Sequence, residues 1–477
     1  MPASQPFSRP PCRARASAAE PMTNAAGIRR GLLFRRLLAP AAFVAVAAGL
    51  VPGARPLGAA PARAEVADTL TAELVRRAPG ELKPFYAARG WRPLWIGPAG
   101  HVRPAVQQLL GQVEAADIDR IRPGRLKAGE LRKAFDRLAD GPADPEALAR
   151  VELAASKVYA GWVKALRAAP HAPMQYENEA LAPAIPTTTA ALAALAAAAS
   201  PEDWLARMGW MHPWYAPLRS ALLDRGRSEA QRRQIATNLD RVRALPANPA
   251  DRYVLVDAGG ARLWLFEQGR PVGSMKVVVG KPDNQTPMMA GFIRYAILNP
   301  YWNVPPDLVR QRIAWNVRDK GLGYLGGAGY EVLADWDSER VIDPASVDWQ
   351  AVEDGRTMVR VRQLPGGSNF MGRVKFEFPN PQGIYLHDTP EKNLMRKDER
   401  TASSGCVRLE DAQRLGRWLM GKPLPRKVAG PETRVNLPEL VPVYITYLTV
   451  FPESSGALAF RADPYGRDGG GAQLATR

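Results

Sequence analysis

Apolar residues recur with a helical period in the first half of the chain and with the alternation of strands in the second. Val106, Leu109, Leu110 and Val113 fall at i, i+3, i+4 and i+7, and Leu148, Val151, Ala155, Val158 and Trp162 repeat that period in another segment. Residues 187–199 are almost all Ala, Leu and Thr, and Ser228 stands where an N-cap opens a helix running to Leu245. A Pro-rich stretch, residues 171–186, separates helices. The pattern predicts an all-α domain over residues 66–246. Its aromatic cluster, Trp204, Trp210, Trp214 and Tyr215, could hold a sugar, but at these spacings it reads as core packing. His212 beside Pro213 reads as structural.

Near residue 250 the period changes. Residues 253–256 and 263–266 read as strands joined by a turn at Ala258-Gly259-Gly260, and 276–280 and 292–298 follow. Residues 373–378 alternate strictly, with Val374, Phe376 and Phe378 on one face. Residues 384–386 read as a strand ending at His387, and 411–420 as a short amphipathic helix. The expectation is an α+β chain. A β-sandwich-like core with one short helix, over residues 252–450, is preceded by the all-α domain. Residues 307–368 interrupt that core with a stretch rich in charge and in Gly, read either as a mobile cover or as a solvated surface insertion. Residues 453–477, rich in Gly, Ser and Ala, read as a disordered tail.

Composition adds a compartment. Apolar residues at 46% and charged residues at 23% are ordinary for a globular protein. Of the net charge of +17, residues 1–64 supply +8, from nine Arg and one Glu, which leaves +9 for the rest. That balance suits an anionic polymer as partner, yet no nucleic-acid motif and no compact basic run follows residue 64. Residues 1–64 read as a signal peptide, with Met22 as an alternative start. Arg29, Arg30, Arg35 and Arg36 precede an apolar run over 37–51, and Ala62-Arg63-Ala64 offers a cleavage site. An exported, periplasmic protein is expected, touching the membrane only through that segment if it is uncleaved, and a monomer.

Export changes the meaning of the cysteines. Of the two, Cys12 lies in the leader, so the mature chain keeps a single thiol, Cys406, with His387 nearby before it. A lone Cys among small residues with a nearby His is the outline of a thiolate nucleophile and its base. A small buried hydrophobe is the alternative. Gly405 lets backbone and substrate approach closely, and the N–H groups of Gly405 and Cys406 could meet a developing oxyanion. Arg408 offers a fork of donors to a substrate carboxylate, or else forms a structural ion pair. One Cys and one nearby His do not make a structural zinc set.

His387-Asp388-Thr389 and Ser404-Gly405-Cys406-Val407-Arg408-Leu409 resemble the signature of the YkuD-type L,D-transpeptidases of the bacterial cell wall. The likeness extends through residues 299–306, 372–376, 378–380 and 441–447, and Ser404 and Asp388 resemble the large periplasmic subgroup with a helical scaffold and a lid insertion. The resemblance implies peptidoglycan stem peptides as donor and acceptor. Cys406 would attack the third-residue carbonyl of a tetrapeptide stem and pass the thioester to an amine, giving a 3→3 cross-link. His387 would be base and then acid. Ser404, Gly405 and Cys406 would supply oxyanion donors, mainly backbone N–H. Arg408, Tyr385, Trp302 and Asn303 would line the donor groove. No metal or organic cofactor is implied. The same fold acting as a carboxypeptidase or endopeptidase on stems or wall-bound lipoprotein, and a non-catalytic wall-binding protein, are the alternatives.

Overall fold

A computed structural model describes residues 60–139, 144–168, 172–248, 250–425, 428–453 and 455–469. The expected leader to residue 59, and His171, lie outside the described residues. The helical region follows the apolar period. The helices Pro104–Glu114 and Pro145–Arg167 bury the residues that recur at three and four positions, among them Leu109, Val113, Val151 and Trp162. Several helices begin at a side-chain cap that pairs a backbone N–H group of the first turn. Asp144 accepts from Ala147, Thr187 opens Thr188–Ala197, and Ser228 forms a full capping box with Gln231 ahead of Glu229–Arg243. Among the described residues no helix is long and apolar enough to cross a membrane.

The strands, in chain order, are β1 Gln175–Tyr176, β2 Arg252–Asp257, β3 Arg262–Glu267, β4 Arg270–Gly280, β5 Met289–Leu298, β6 Trp302–Asn303, β7 Tyr330–Leu333, β8 Val341–Ile342, β9 Arg360–Gln363, β10 Val374–Glu377, β11 Leu386–His387, β12 Thr401–Ser403, β13 Val407–Leu409, β14 Thr433–Thr446, β15 Val450–Pro452 and β16 Leu458–Phe460. The main sheet runs β1-β5-β10-β11-β13-β4-β3-β2-β14, with β12 beside β4. The long β14 pairs with β2 on one side and with β5 on the other. The sheet therefore closes on itself, and the layered core expected from the sequence is enclosed by a single ring of strands. Closure also removes the exposed edges that an open sheet leaves.

Alternation along each strand then sorts side chains into two cores. Val254, Val256, Leu263, Leu265, Phe376, Leu386, Val407 and Leu409 point inside the ring. Their neighbours Tyr253, Leu255, Trp264, Phe266 and Tyr444 point outward and share a second core with the helices. Both faces of β2 and β3 are buried, which is why these strands are nearly continuous apolar runs. The Pro-rich stretch read as a spacer contributes β1, which pairs in parallel with β5.

His212 lies in this shared core. Its Nδ1 accepts from the Trp214 N–H at 3.3 Å, and its ring meets those of Trp214 and Phe266. Burial, with Arg167 nearby, holds its pKa down at about 3. The folded value lies below the unfolded one of about 6.5, so folding opposes protonation. Stability from this group is complete above about pH 6.5 and is lost as pH falls toward 3. His212→Gln should therefore lose less stability than the wild type between pH 6.5 and 4. The difference, on the order of 3 kcal/mol, can be read by urea unfolding at each pH. Parallel pH dependence in the two proteins would refute it.

Two expectations change. Residues 307–368 are a folded unit with their own apolar core, including Val309, Ile313, Val332, Trp349 and Val361. Their sheet, ordered β6-β9-β7-β8, takes in Trp302–Asn303 from outside the insertion. The glycines that suggested mobility stand at turns and short helices around that core. The tail is not disordered over its described residues, 455–469. Leu458–Phe460 pairs with Val450–Pro452, and Asp463, Tyr465, Arg467 and Asp468 all bond to the body of the protein. These four side chains supply the polar and aromatic contacts that a count of Gly, Ser and Ala hides.

Candidate active site

The register of β10, β11 and β13 assembles the site. Leu386 stands opposite Val407 and His387 opposite Arg408 in a parallel pair, while Lys375 stands opposite His387 in an antiparallel one. Because side chains alternate, Leu386, Val407 and Phe376 face the inner core. His387, Arg408 and Lys375 form a row on the outer face. The next row on that face holds Glu377, Tyr385 and Cys406, with the Val407 N–H bonded to the Tyr385 carbonyl at 2.9 Å. Cys406, one residue ahead of β13, is thus the diagonal neighbour of His387 on that face, with its thiol hydrogen-bonded to the Gly383 carbonyl rather than to the imidazole.

His387 is 4% exposed. Its Nδ1 lies 2.6 Å from the Asp388 carbonyl, an acceptor only, so Nδ1 carries the proton and Nε2 the lone pair. Asp388 is itself fixed, accepting from the Arg373 N–H and from Lys392. Burial, and then the Arg408 cation, lower the His387 pKa to about 4. The Cys406 thiol donates to the Gly383 carbonyl at 3.6 Å. Burial raises its pKa, against the opposing pull of the Tyr385 backbone N–H and Arg408. At neutral pH the resting pair is therefore thiol and neutral imidazole, not the thiolate and imidazolium that the residue types alone suggest.

The nucleophile loop is tied down atom by atom. Ser403 donates its hydroxyl to the Cys406 carbonyl at 2.6 Å and accepts the Gly405 N–H at 3.2 Å. Thr286 donates to the Gly405 carbonyl at 2.7 Å. Gly405 has φ +112°, and a Cβ there would meet Ile384 at 3.2 Å, so only glycine fits without strain. The Gly405 N–H, expected as an oxyanion donor, is already spent on Ser403. The Cys406 N–H has no acceptor among the described residues.

Of the other expected residues, Arg408 and Tyr385 stand in the same two rows, whereas Trp302 and Asn303 do not. Arg408 is paired with Glu391, and its guanidinium lies 5.9 Å from the Phe370 ring. Tyr385 lies under the Lys375 ammonium. Trp302 packs on Phe370 and on Tyr330 of the insertion, so it reaches the site through Phe370. Asn303 is exposed and accepts from Arg360, away from the thiol. Ser404 is exposed. Lys375, Glu377, Glu391 and Thr286 were not read from the sequence as site residues. A charge inside the alternating strand 373–378 was the one available sign for Lys375 and Glu377, which pair at 3.0 Å. Among the described residues no group of three or more His, Cys, Asp or Glu could hold a metal ion.

Comparison with known proteins finds two family-model matches. Residues 251–444 match the family model described as the L,D-transpeptidase catalytic domain, and residues 80–222 match one described as a scaffold domain. A Haemophilus influenzae protein named "Putative L,D-transpeptidase" is 30% identical over 247 residues, 49% of this chain and 48% of that protein. The chain thus spans about half the length of this curated relative. Among solved structures, an L,D-transpeptidase from Mycobacterium smegmatis is 11% identical with a TM-score of 0.22, over 41% of this chain and 58% of that one. An Ldtfm–avibactam carbamoyl enzyme is 12% identical with a TM-score of 0.20, over 42% and 51%. Helices that match a scaffold-domain model thus precede a closed sheet whose residues 251–444 match the model of the L,D-transpeptidase catalytic domain.

Proposed function

We propose that this protein is a peptidoglycan L,D-transpeptidase of the periplasm, with Cys406 as nucleophile and His387 as base. The observation that supports it most is the thiol and the imidazole on neighbouring strands of one outer sheet face, within a domain of that family. Because both groups rest neutral, the thiol proton passes to His387 Nε2 as sulfur attacks the third-residue carbonyl carbon. The carbon–nitrogen bond to the fourth residue breaks. The departing amine takes the proton back from the imidazolium, leaving a thioester on Cys406. An acceptor amine then attacks the thioester carbonyl and gives its proton to His387, the carbon–sulfur bond breaks, and the sulfur takes that proton from the imidazolium to return as a thiol. Arg408, held by Glu391, keeps positive charge beside the sulfur as it becomes anionic. Tyr385 and Trp302 line the donor groove, and Asn303 lies farther out.

Purified protein incubated with tetrapeptide-bearing muropeptides should yield 3→3 linked dimers by mass spectrometry. Tripeptide products alone would mean that water is the acceptor. No product from protein with a titratable thiol would end the reading. The folded insertion, which reaches the site through Trp302 and Phe370, is the cover of the thioester in this reading. Replacing residues 307–368 by a short Gly/Ser linker should shift products from transfer toward hydrolysis, because water then reaches the thioester. An unchanged ratio in a folded deletion protein would refute the covering role.

A further inference from the structure

The peptide bond between Gly405 and Cys406 is planar and trans, so its carbonyl oxygen and its N–H point in opposite directions. Whatever fixes the oxygen aims the hydrogen. Thr286 fixes the oxygen, donating its hydroxyl to Gly405 at 2.7 Å. The same hydroxyl accepts the Gly280 N–H at 2.8 Å, so its one proton is committed to Gly405. Thr286 is fully buried. Gly280 lets the 280–286 turn fold back on itself, since a Cβ there would come within 2.0 Å of the Asn284 carbonyl.

That turn is clamped from the far end of the chain. Tyr465 donates its hydroxyl to the Gly280 carbonyl at 2.6 Å and accepts the Thr286 N–H at 3.3 Å. Arg467 bonds the Gln285 side chain at 2.8 Å and the Thr286 carbonyl at 3.2 Å. The clamp is anchored in turn. Tyr465 stacks on Tyr447, and Asp468 pairs with Arg241 of the helix Glu229–Arg243 at 2.8 Å.

We propose that Thr286 is a positioning residue that aims the Cys406 N–H as the oxyanion donor, and that the segment 463–468 holds Thr286 in place for that task. The inference rests on Cys406 being the acylated nucleophile. When sulfur bonds to the carbonyl carbon, the carbonyl π electrons move to oxygen, and the resulting oxyanion needs a donor already aimed at it. Alkylation by iodoacetamide is a displacement at a saturated carbon. It uses the same sulfur but forms no oxyanion.

The two reactions separate the role. In the full chain, Thr286→Val should slow acylation by a carbapenem about 10–100-fold, part of the 10²–10³ that a lost oxyanion donor costs. The rate of iodoacetamide alkylation against pH should stay as in the wild type. Thr286→Ser, which keeps the hydroxyl, should restore acylation. Tyr465→Phe should show a smaller selective loss, and it carries the test if Thr286→Val does not fold. Unchanged acylation in a folded variant, or acylation and alkylation falling together, overturns the positioning role while leaving the transpeptidase reading standing. A wild-type protein that alkylates but is never acylated fails that reading and this inference with it.

Discussion

Cys406→Ala should abolish acyl transfer and leave the fold intact. The sulfur is the only thiol among the described residues, and its hydrogen bond to the Gly383 carbonyl is a weak one at 3.6 Å. The loop around it is held by Ser403 and Thr286 acting on backbone atoms, which alanine keeps. The melting temperature should therefore move little, while muropeptide dimers vanish. A carbapenem should add its mass to the wild type at Cys406 and not to the variant. A variant that still forms dimers, or a carbapenem adduct on another residue, would show that Cys406 is not the nucleophile.

His387→Ala should slow acylation by roughly 10²–10⁴-fold, the usual cost of a lost general base. The pH profile is the sharper check. In the wild type the base must be neutral, and its pKa is about 4. Acylation should therefore be flat through neutral pH and fall only as pH drops through about 4. In the variant only thiolate formed in solution equilibrium reacts. Because burial raises the thiol pKa, its rate should climb about tenfold per pH unit across the neutral range. An acid limb near 6.5 in the wild type would mean a solvated imidazole, and a flat profile in the variant would mean that His387 is not the base.

The chain's linear pattern determined a good deal by itself. Helices and strands follow from the spacing of apolar residues and from caps such as Ser228 and Asp411, because these forces act within a few residues. Cys406 and His387 stood out as the proposed pair because the chemistry needs those side chains and the sequence holds so few of them. Other features belong to pairings between distant segments, which no local pattern encodes. The ring closes only because β14 meets both β2 and β5. The Pro-rich stretch becomes a strand only because the edge of β5 is there to receive it. The packed core of the insertion and the contacts of the tail escaped the sequence because Gly and charge counts do not register a few well-placed contacts, such as Trp349 in its small core or Tyr465 on Gly280. The protonation of the site was also decided by tertiary structure. Residue types favour a thiolate and an imidazolium, but burial of both groups on the packed sheet face penalises charge on each and leaves the pair neutral until a substrate arrives.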